Sequence, residues 1–394
     1  MVEYRTYARI DVSKFQSNLK KVRELAGDGC KLLQVLKADA YGHGVSACAK
    51  YAAPMVDYFA VATLEEALAA RMEAPHTPIL LFGALQPFEV EKAAKADITV
   101  NLFSVQYAAS LSEKLGMLGK RIKGHIKFDT GMNRLGIRTR LERMDEAVDE
   151  AKKIFAMPNL QVTGCYTHFA CADTRDSSDC AFTEKQFLAF SQVTDILRND
   201  GYKIGLRHCV STGGFICHPE YKMDMIRTGM LAYGQGLSRD NVMEMGIDPI
   251  LTWFARIIDV RVLEKGESIS YGRIYTASQD ETIAVIGAGY ADGYSRAFSN
   301  KSHVIIDGML CPVRGKICMD YTMVDVSNCE KVKPGDWAIL LGKDDKQWIA
   351  ADDLAALVPL NTNGGVTSEI NDRVPRIYFE EDNIVCERFK QYRT

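Results

Sequence analysis

The sequence lacks the features that mark several specialised classes of protein. It contains no apolar run of the roughly 18 residues that a membrane-spanning helix needs, and no signal peptide follows Met1. Lysine and arginine are scattered and the net charge is −3, which argues against a nucleic-acid-binding surface. No internal repeat or low-complexity segment is present. We therefore expect a cytoplasmic protein with no nucleic acid partner and no membrane contact of its own.

The cysteines form no recognisable framework. There are 11 of them, an odd number at irregular spacings, and no CxxC pair occurs. This pattern indicates neither a disulfide scaffold nor a zinc site, and it is typical of a reducing compartment. We expect no metal, and we expect most of these thiols to be small buried side chains.

The chain has the length and composition of a two-domain globular protein. Of its 394 residues, 47% are apolar and 25% charged. From about residue 10 to 240, short β-like runs alternate with amphipathic segments, which predicts a (β/α)8 barrel over residues 1–245. The predicted strands are 32–36, 58–62, 79–82, 98–102, 124–128, 162–167, 206–211 and 225–227, and the predicted helices are 13–26, 45–53, 64–72, 87–96, 105–114, 141–155 and 184–199.

The pattern changes near residue 245. The segments 254–263, 282–286, 303–306, 321–326 and 337–341 are β-rich and are separated by turn residues. Residues 246–394 are therefore predicted to form a separate all-β domain.

Five polar residues follow five different strands of the predicted barrel. Lys37 follows the first strand, Arg134 the fifth, His168 the sixth, Thr212 the seventh and Arg227 the eighth. In such barrels the chemistry lies at the carboxyl ends of the strands. We expect these side chains to converge on one mouth.

Lys37 is the residue whose position says most about chemistry. An amine at the end of an apolar strand is costly to bury unless it is paired or deprotonated. A deprotonated lysine attacks aldehydes, which is how pyridoxal phosphate is held. The alternative is a lysine that reaches solvent past the strand end.

Other groups in the sequence suit the rest of that cofactor. Thr212, in a Ser-Thr-Gly-Gly turn, offers a hydroxyl to a phosphate, and Gly229 and Met230 follow the eighth strand, where barrels often bind phosphate. Tyr41 adds a phenolic donor. Arg227, in an apolar strand, needs a partner for its charge.

Two loops of the β domain also stand out. Residues 286–293 lack the G-x-G-x-x-G spacing of a dinucleotide loop, so we interpret them as a tight turn that holds Tyr290 rigidly. Residues 315–320 form a second compact loop, in which Asp320 is either a cap or a substrate contact.

Together, these motifs resemble those of the alanine racemases, the fold-type-III pyridoxal phosphate enzymes. The resemblance rests on Lys37 with Tyr-Gly-His-Gly at 41–44, on Asp-Thr-Gly-Met with Arg134 at 129–134, and on Gly-Tyr-Ala-Asp-Gly at 289–293. It extends over nearly the whole chain. It implies a head-to-tail homodimer in which each active site is completed by the partner's β domain.

The resemblance also implies roles for individual residues. Lys37 corresponds to the lysine that binds the cofactor and acts as one catalytic base, and the partner subunit's Tyr290 to the opposing base. Arg227 corresponds to the partner of the ring nitrogen, with His168 bonded between it and Tyr290. Arg134 corresponds to the residue that faces the ring phenolate and the substrate.

Further positions match family contacts more loosely. Lys127 matches a lysine that is carbamylated in many members. Tyr41, Thr212, Gly229 and Met230 match phosphate contacts, and Met319 and Asp320, from the partner subunit, match the substrate-binding and entry region.

One position departs from the family. Asn363 stands where the alignment expects a phosphate-contacting tyrosine, and a smaller amide leaves room and a partner for a substrate hydroxyl. This change resembles the serine racemases of vancomycin resistance, whose racemase domain is attached to a membrane part. It predicts a serine and alanine racemase that supplies D-amino acid for modified peptidoglycan precursors, either alone or as the cytoplasmic domain of a longer membrane-anchored protein.

Three alternatives stay open at this point. The first is a housekeeping alanine racemase. The second is a pyridoxal phosphate-dependent amino-acid decarboxylase, against which Arg227 argues, since those enzymes set a carboxylate at the ring nitrogen. The third is a non-catalytic pyridoxal phosphate-binding protein, against which the length of the chain argues.

Overall fold

Eight parallel strands follow one another in chain order around a nearly closed barrel. The computed structural model describes residues 4–359 and 361–388. The first barrel strand pairs with both the second and the eighth, and the backbone N–H of Arg227 donates to the carbonyl of Val210 at 3.2 Å where the seventh and eighth strands meet. The eight strands are Lys31–Val35, Tyr58–Val61, Ile79–Leu81, Ile98–Leu102, Ile122–Asp129, Leu160–Tyr166, Leu206–His208 and Met225–Thr228. The barrel predicted from the sequence is confirmed.

Helices connect the barrel strands, and three of those described begin at a side-chain N-cap. Thr63 caps one helix with its hydroxyl and forms a capping box with Glu66, and Ser104 caps another. The helices of the barrel region are Val12–Ala26, Val45–Ala52, Leu64–Glu73, Val90–Lys95, Val105–Met117, Met144–Phe155, Ser177–Asn199 and Thr212–Cys217. A short strand, Ile137–Arg138, lies beside the fifth barrel strand. Most bounds lie within a few residues of the predicted ones.

The second unit is built on a mostly antiparallel sheet of ten strands. Its strands are Thr6–Asp11, Leu251–Leu263, Glu281–Ile286, His303–Ile306, Met309–Pro312, Thr322–Asp325, Trp337–Lys343, Trp348–Ile349, Arg376–Glu380 and Asn383–Arg388, and a separate hairpin pairs Ser268–Ile269 with Tyr275–Thr276. Its helices are Arg239–Glu244, Ala351–Ala355 and Asn363–Ser368. This sheet-rich unit agrees with the predicted β domain.

The division of the chain differs from a simple cut near residue 245. Among the described residues, the β unit comprises the chain up to Asn18, Tyr41–Gly44 and the chain from Tyr233 onward, and the barrel unit comprises Leu19–Ala40 and Val45–Ala232. The start of the chain joins the β unit because Thr6–Asp11 pairs antiparallel with Leu251–Leu263 and parallel with Arg376–Glu380. Within the described part of the chain, every helix is too short or too polar to cross a membrane. The expected absence of a signal peptide at Met1 concerns residues outside the described ones.

Candidate active site

Lys37 lies just past the carboxyl end of the first barrel strand, as the sequence predicts. The strand Lys31–Val35 is buried over its last four residues, and Lys37 itself is half-buried. Burial lowers the pKa of Lys37, and the nearby charge of Arg134 lowers it further, against a smaller opposing effect of Glu66. A lysine with a lowered pKa is a better nucleophile at neutral pH, since more of it is unprotonated.

The turn that follows Lys37 has an uncommon backbone conformation. Residues 38–40 all have φ between 53° and 55°, in the left-handed region that costs an L-residue about 1–2 kcal/mol. The carboxylate of Glu66 stabilises this turn: one oxygen accepts the N–H of Ala38 at 2.7 Å, and the other accepts that of Ala62 at 2.8 Å. Glu66 is a positioning residue that the sequence analysis missed, although its capping-box spacing from Thr63 marks it as a helix start.

Arg227 is the centre of a buried hydrogen-bond network at the end of the eighth strand. Its Nη1 donates to Nδ1 of His208 at 3.1 Å, and its Nη2 donates to Nδ1 of His168 at 3.1 Å. Nη2 also donates to the carbonyls of Thr167 and Cys209, at 2.9 and 2.8 Å. A guanidinium has no acceptor, so both imidazoles must accept at Nδ1 and carry their proton on Nε2. The network therefore fixes His168 and His208 as neutral rings of known tautomer.

A third histidine extends this network into the barrel interior. Nε2 of His208 lies 3.0 Å from Nδ1 of His125, and the tautomer of His208 makes it the donor. Burial lowers the pKa of His125 to about 3, and burial with the charge of Arg227 lowers the pKa of His208 well below its usual value. Neither histidine was predicted from the sequence; the position of His208 at a strand end, like that of His168, is the signal that would have identified it.

Cations accumulate at this end of the barrel. Burial, followed by the charges of Arg134 and Arg227, lowers the pKa of Lys127 to about 8. Burial also lowers the pKa of His168 well below its usual value, and the four cations Arg227, Arg134, Lys127 and Lys37 add to the effect in that order. Nζ of Lys127 and the guanidinium of Arg227 each lie 5.6 Å from the centre of the Tyr166 ring, and Arg227 also contacts His168, so these side chains lie close together.

Asp129 holds the loop that carries Arg134. One carboxylate oxygen accepts the N–H groups of Gly131 and Asn133, and the other accepts that of Arg134, each at 3.0 Å. Asp129 is buried, while the side chain of Arg134 is exposed. The loop is thus rigid at its base, and the guanidinium is left available to a ligand.

A hydroxyl and an amide meet at the ends of the seventh and eighth strands. The buried Thr212 accepts the N–H of Gly229 at 3.2 Å through Oγ1, and its own hydroxyl proton stays available for donation. Met230 follows at half-buried depth. A Cβ on Gly213 would lie 2.7 Å from the Cβ of Asp173, so a glycine is needed here for close packing. The arrangement suits a phosphate.

The barrel residues fit pyridoxal phosphate. The four cations of the site outnumber the carboxylates that act on them, Glu66 and Asp129, so the site favours an anionic ligand. In addition, the hydroxyl of Tyr166 is buried without a hydrogen-bond partner among the described residues. A ligand with a phosphate and a phenolate supplies the missing negative charge.

Tyr290 lies on a tight turn of the β unit, as predicted. The N–H of Tyr290 donates to the carbonyl of Cys318 and that of Ala291 to the carbonyl of Met319, each at 3.0 Å. A Cβ on Gly289 would lie 2.3 Å from the Cys318 oxygen, which explains the glycine. The side chains of Tyr290 and Met319 are 39% and 52% exposed, so both are presented outward from a firm base.

An ion-pair network beneath this turn fixes it. The fully buried carboxylate of Asp292 accepts from both Nη atoms of Arg5, at 3.1 and 2.6 Å, and from the N–H of Gly289 at 2.9 Å. Arg373 lies 3.7 Å from Asp292 and donates to Asp320 at 2.7 Å. Asp320 is therefore engaged in an ion pair within the β unit. The positioning roles of Asp292 and Arg5 were not predicted from the sequence.

Tyr41 and Asn363 also belong to the β unit. The Tyr41 ring lies 5.6 Å from that of Tyr233, and burial raises the pKa of Tyr41 to about 12. Asn363 is half-buried at the start of its helix, and its Nδ2 donates to the carbonyl of Gly236 at 2.9 Å. The amide is thus bound to the protein's own backbone, a role that the sequence did not suggest.

The candidate residues therefore form two sets. The barrel unit carries Lys37, Lys127, Arg134, His168, Thr212, Arg227, Gly229 and Met230, and the β unit carries Tyr41, Tyr290, Met319, Asp320 and Asn363. A parallel barrel with a lysine among cations at its strand ends, followed by a sheet-rich β unit, defines the class of barrel-type pyridoxal phosphate enzymes.

Comparison with known proteins identifies the family. The "Alanine racemase, N-terminal domain" model matches residues 10–236, and the "Alanine racemase, C-terminal domain" model matches residues 250–378. The alanine racemase of Halothermothrix orenii is 37% identical over 374 residues, which span 95% of this chain and 96% of that protein. The chain belongs to the alanine racemase family, whose members depend on pyridoxal phosphate.

Solved structures agree with this assignment. The alanine racemase of Clostridium difficile 630 is 31% identical, with a TM-score of 0.90 and 99% of each chain covered. The alanine racemase of Bartonella henselae, whose structure contains covalently bound pyridoxal phosphate, shares the fold at 24% identity and a TM-score of 0.83, over 95% of this chain and 100% of that one.

Proposed function

We propose that this protein interconverts L- and D-alanine, with pyridoxal phosphate bound at the carboxyl ends of the barrel strands. The observation that carries the proposal is the position of Lys37, an amine with a lowered pKa inside a cluster of cations. Membership of the alanine racemase family supports the reaction.

Barrel residues and one tyrosine of the β unit would hold the cofactor. Lys37 would bind its aldehyde, Arg134 would face its phenolate and Arg227 would donate to its ring nitrogen. The phosphate contacts are assigned to Tyr41, Thr212, Gly229 and Met230. When bound, this group withdraws electrons from the substrate and weakens its α-C–H bond.

Inversion of the substrate requires a base on each face. Lys37 moves the proton on one face, and the partner subunit's Tyr290 moves it on the other. Although burial lowers the pKa of Arg227, that pKa stays near 10, so the guanidinium donates a hydrogen bond without giving up its proton. The same Arg227 orients His168, which is assigned to the contact with Tyr290.

The complete site is proposed to form in a head-to-tail homodimer. Tyr290, Met319 and Asp320 would reach the barrel of the partner subunit, with Met319 and Asp320 near the substrate entry. Lys127 is proposed to be carbamylated: a pKa near 8 leaves an unprotonated fraction able to react with carbon dioxide, and the carbamate would offset the charge of Arg134 and Arg227.

Alanine fits as the substrate better than serine. The relatives named above are alanine racemases, and they give no support to a role in vancomycin resistance. The serine preference rested on Asn363, whose amide Nδ2 is already bound to Gly236. Racemisation of serine stays as the second candidate because the position holds a small polar residue.

Parallel chiral assays with L-alanine and L-serine test both candidates. The protein loaded with pyridoxal phosphate should form D-alanine with the higher kcat/KM. A higher kcat/KM for serine would favour the second candidate, and the absence of both D-amino acids would contradict the proposal.

Two variants test the assigned bases. Lys37→Ala should abolish the borohydride-reducible adduct with pyridoxal phosphate, and an unchanged adduct would refute the assignment of Lys37. Tyr290→Phe should slow loss of the α-proton from one alanine enantiomer more than from the other, and a small symmetric effect would count against Tyr290.

A further inference from the structure

Two thiols of the β unit face one another outside the residues assigned to the site. The Sγ atoms of Cys311 and Cys329 lie 3.5 Å apart. Cys311 is buried in the strand Met309–Pro312, and Cys329 is half-buried in the turn that follows Thr322–Asp325. Both are free thiols in this structure.

The backbone around this thiol pair is well anchored. Val313 bridges to Val324, which sets the end of one strand beside the other. The N–H of Cys329 donates to the carbonyl of Val326 at 2.9 Å and turns the chain back toward Cys311. The sulfurs need to approach by about 1.5 Å to reach bonding distance, a movement within the range of side-chain rotation.

We propose that Cys311 and Cys329 form an oxidation-sensitive dithiol that closes to a disulfide by exchange with a small disulfide such as oxidised glutathione. The thiolate of Cys329, the more exposed residue, attacks one sulfur of the small disulfide and releases one small thiol. Cys311 then attacks Sγ of Cys329 and releases the second small thiol. The protein loses two S–H bonds and gains one S–S bond, and the two protons go to the released thiols.

The order of attack follows from the surroundings of the two sulfurs. Burial raises the pKa of Cys311, and the neighbouring thiol of Cys329 raises it further. A thiol with a raised pKa is a poor attacker of molecules in solution but reacts efficiently with a sulfur that is already beside it. The second step of the exchange is intramolecular, which suits Cys311.

The bond would restrain a segment that supports the Tyr290 turn. The ring closed by Cys311 and Cys329 contains Cys318 and Met319, whose carbonyls accept the N–H groups of Tyr290 and Ala291. Oxidation is therefore expected to change the rate of racemisation. This consequence rests on the proposed function, whereas the disulfide itself does not.

Thiol mapping on the intact holoenzyme tests the proposal. The protein is incubated with oxidised or reduced glutathione, free thiols are alkylated under denaturing conditions, and peptides are analysed by mass spectrometry. Oxidation should yield one peptide linked through Cys311 and Cys329, two fewer alkylated thiols, and full recovery on reduction with dithiothreitol. Alkylation of both residues after oxidation, or a link from Cys311 to another cysteine, would overturn the proposal.

Two variants make the test specific. Cys329→Ser should remove the linked peptide. The matched control is Cys318→Ser, because Cys318 lies in the same ring but its Sγ contacts Ser270 and the Lys316 carbonyl; that variant should keep the linked peptide. Survival of the link in Cys329→Ser, or its loss in a folded Cys318→Ser, would contradict the assignment.

Activity is then compared in the oxidised and reduced states. A rate that changes in the wild type and stays constant in Cys329→Ser supports the coupling to the Tyr290 turn, and equal rates in the wild type contradict that coupling. If no state racemises alanine, the proposed function fails while the linked peptide still decides the thiol chemistry.

Discussion

Two buried charges, Arg227 in the barrel unit and Asp292 in the β unit, have opposite signs and opposite surroundings. In the barrel, Arg227 is 3% exposed and its hydrogen-bond partners among the described residues are imidazoles and backbone carbonyls, with no carboxylate. In the β unit, Asp292 is fully buried and faces the guanidinium groups of both Arg5 and Arg373. Arg227 thus has no carboxylate beside it among the described residues, while Asp292 faces two guanidinium groups.

This difference separates the proposed ligand site from a supporting structure. A buried charge without a counter-charge destabilises the folded protein and is relieved when an anion binds. A buried charge with well-placed partners holds its surroundings in one arrangement, and breaking it is costly. The contrast explains why the cations gather at the barrel strand ends, whereas Asp292 lies beneath the turn of Tyr290.

The largest expected effect is a loss of stability on removal of Asp292 from the β unit. Asp292→Ala would leave Arg5 without its buried carboxylate, and we expect a loss of about 3–5 kcal/mol in the free energy of unfolding. All three tryptophans lie in the β unit, so their fluorescence during urea unfolding reports on it. The control Asp382→Ala removes a 98% exposed partner of Arg9 and should cost less than about 1 kcal/mol. Equal losses in the two variants would show that the buried carboxylate of Asp292 stabilises the β unit no more than an exposed one does.

The next effect concerns Lys127, a cation of the barrel unit, and is measured as the pH dependence of the free energy of unfolding. Burial, with the charges of Arg134 and Arg227, lowers the pKa of Lys127 from its ordinary value of 10.5 to about 8 in the folded chain. Between these values the unfolded chain binds a proton that the folded chain does not, so stability should rise with pH across that window. Relative to Lys127→Met, the apoprotein in bicarbonate-free buffer should gain on the order of 3 kcal/mol from pH 8 to 10.5.

The control for this measurement lies on the same strand. Lys123→Met removes an ammonium that faces Asp97 at 2.9 Å on the surface, and its stability should follow the wild type across the window. If the stability difference between wild type and Lys127→Met does not change with pH, the folded barrel does not lower the pKa of Lys127.

A smaller effect, on kcat/KM, is expected when Arg227 is replaced by lysine, which keeps the positive charge but lacks the planar guanidinium. Lys has three donors on one nitrogen, so Arg227→Lys cannot serve four acceptors that lie in different directions. We expect kcat/KM for alanine to fall about thirtyfold, or about 2 kcal/mol, with nitrogen NMR showing that His208 no longer holds one tautomer. Arg207→Lys, on the seventh strand and paired with Asp195, is the control and should change kcat/KM less than twofold, roughly the effect of a surface ion pair. If His208 still holds one tautomer in Arg227→Lys, the guanidinium of Arg227 does not have the orienting role assigned to it.

The sequence predicted those parts of the fold that leave a local pattern. Buried parallel strands are short apolar runs, and amphipathic helices show their period, so the eight barrel strands were found within a few residues. The strand Thr6–Asp11 was missed because its partners, Leu251–Leu263 and Arg376–Glu380, lie hundreds of residues away and leave no mark beside it. The helix Ser177–Asn199 begins earlier than predicted, because the side chain of Asp176 caps it. Aspartate is also common in loops, so its capping role was not recognised in the sequence.

The candidate site divides in the same way. Lys37, His168 and Arg227 were assigned to the site from the sequence because each is a polar residue at or just past the end of an apolar strand. Glu66 and Asp292 were missed because their function depends on backbone groups that only the folded chain brings within reach. The residues proposed to contact a ligand have a chemical signature in the sequence, and the residues that position them do not.

The smallest effect is expected at Asn363, a residue of the β unit, and concerns the choice between serine and alanine as substrate. A phenol in Asn363→Tyr would remove the amide contact with Gly236 and fill space beside it, without adding or removing a charge. We expect the serine-to-alanine ratio of kcat/KM to fall about fivefold, the value of one hydrogen bond of about 1 kcal/mol. The control Asn363→Ala removes the same amide without filling the space. If the serine-to-alanine ratio falls only in the tyrosine variant, the phenol excludes the serine hydroxyl sterically. If the ratio falls equally in both variants, the amide had provided a hydrogen bond to that hydroxyl. A ratio unchanged in both variants would show that Asn363 serves only the Gly236 contact, and that substrate choice lies with the charged barrel site.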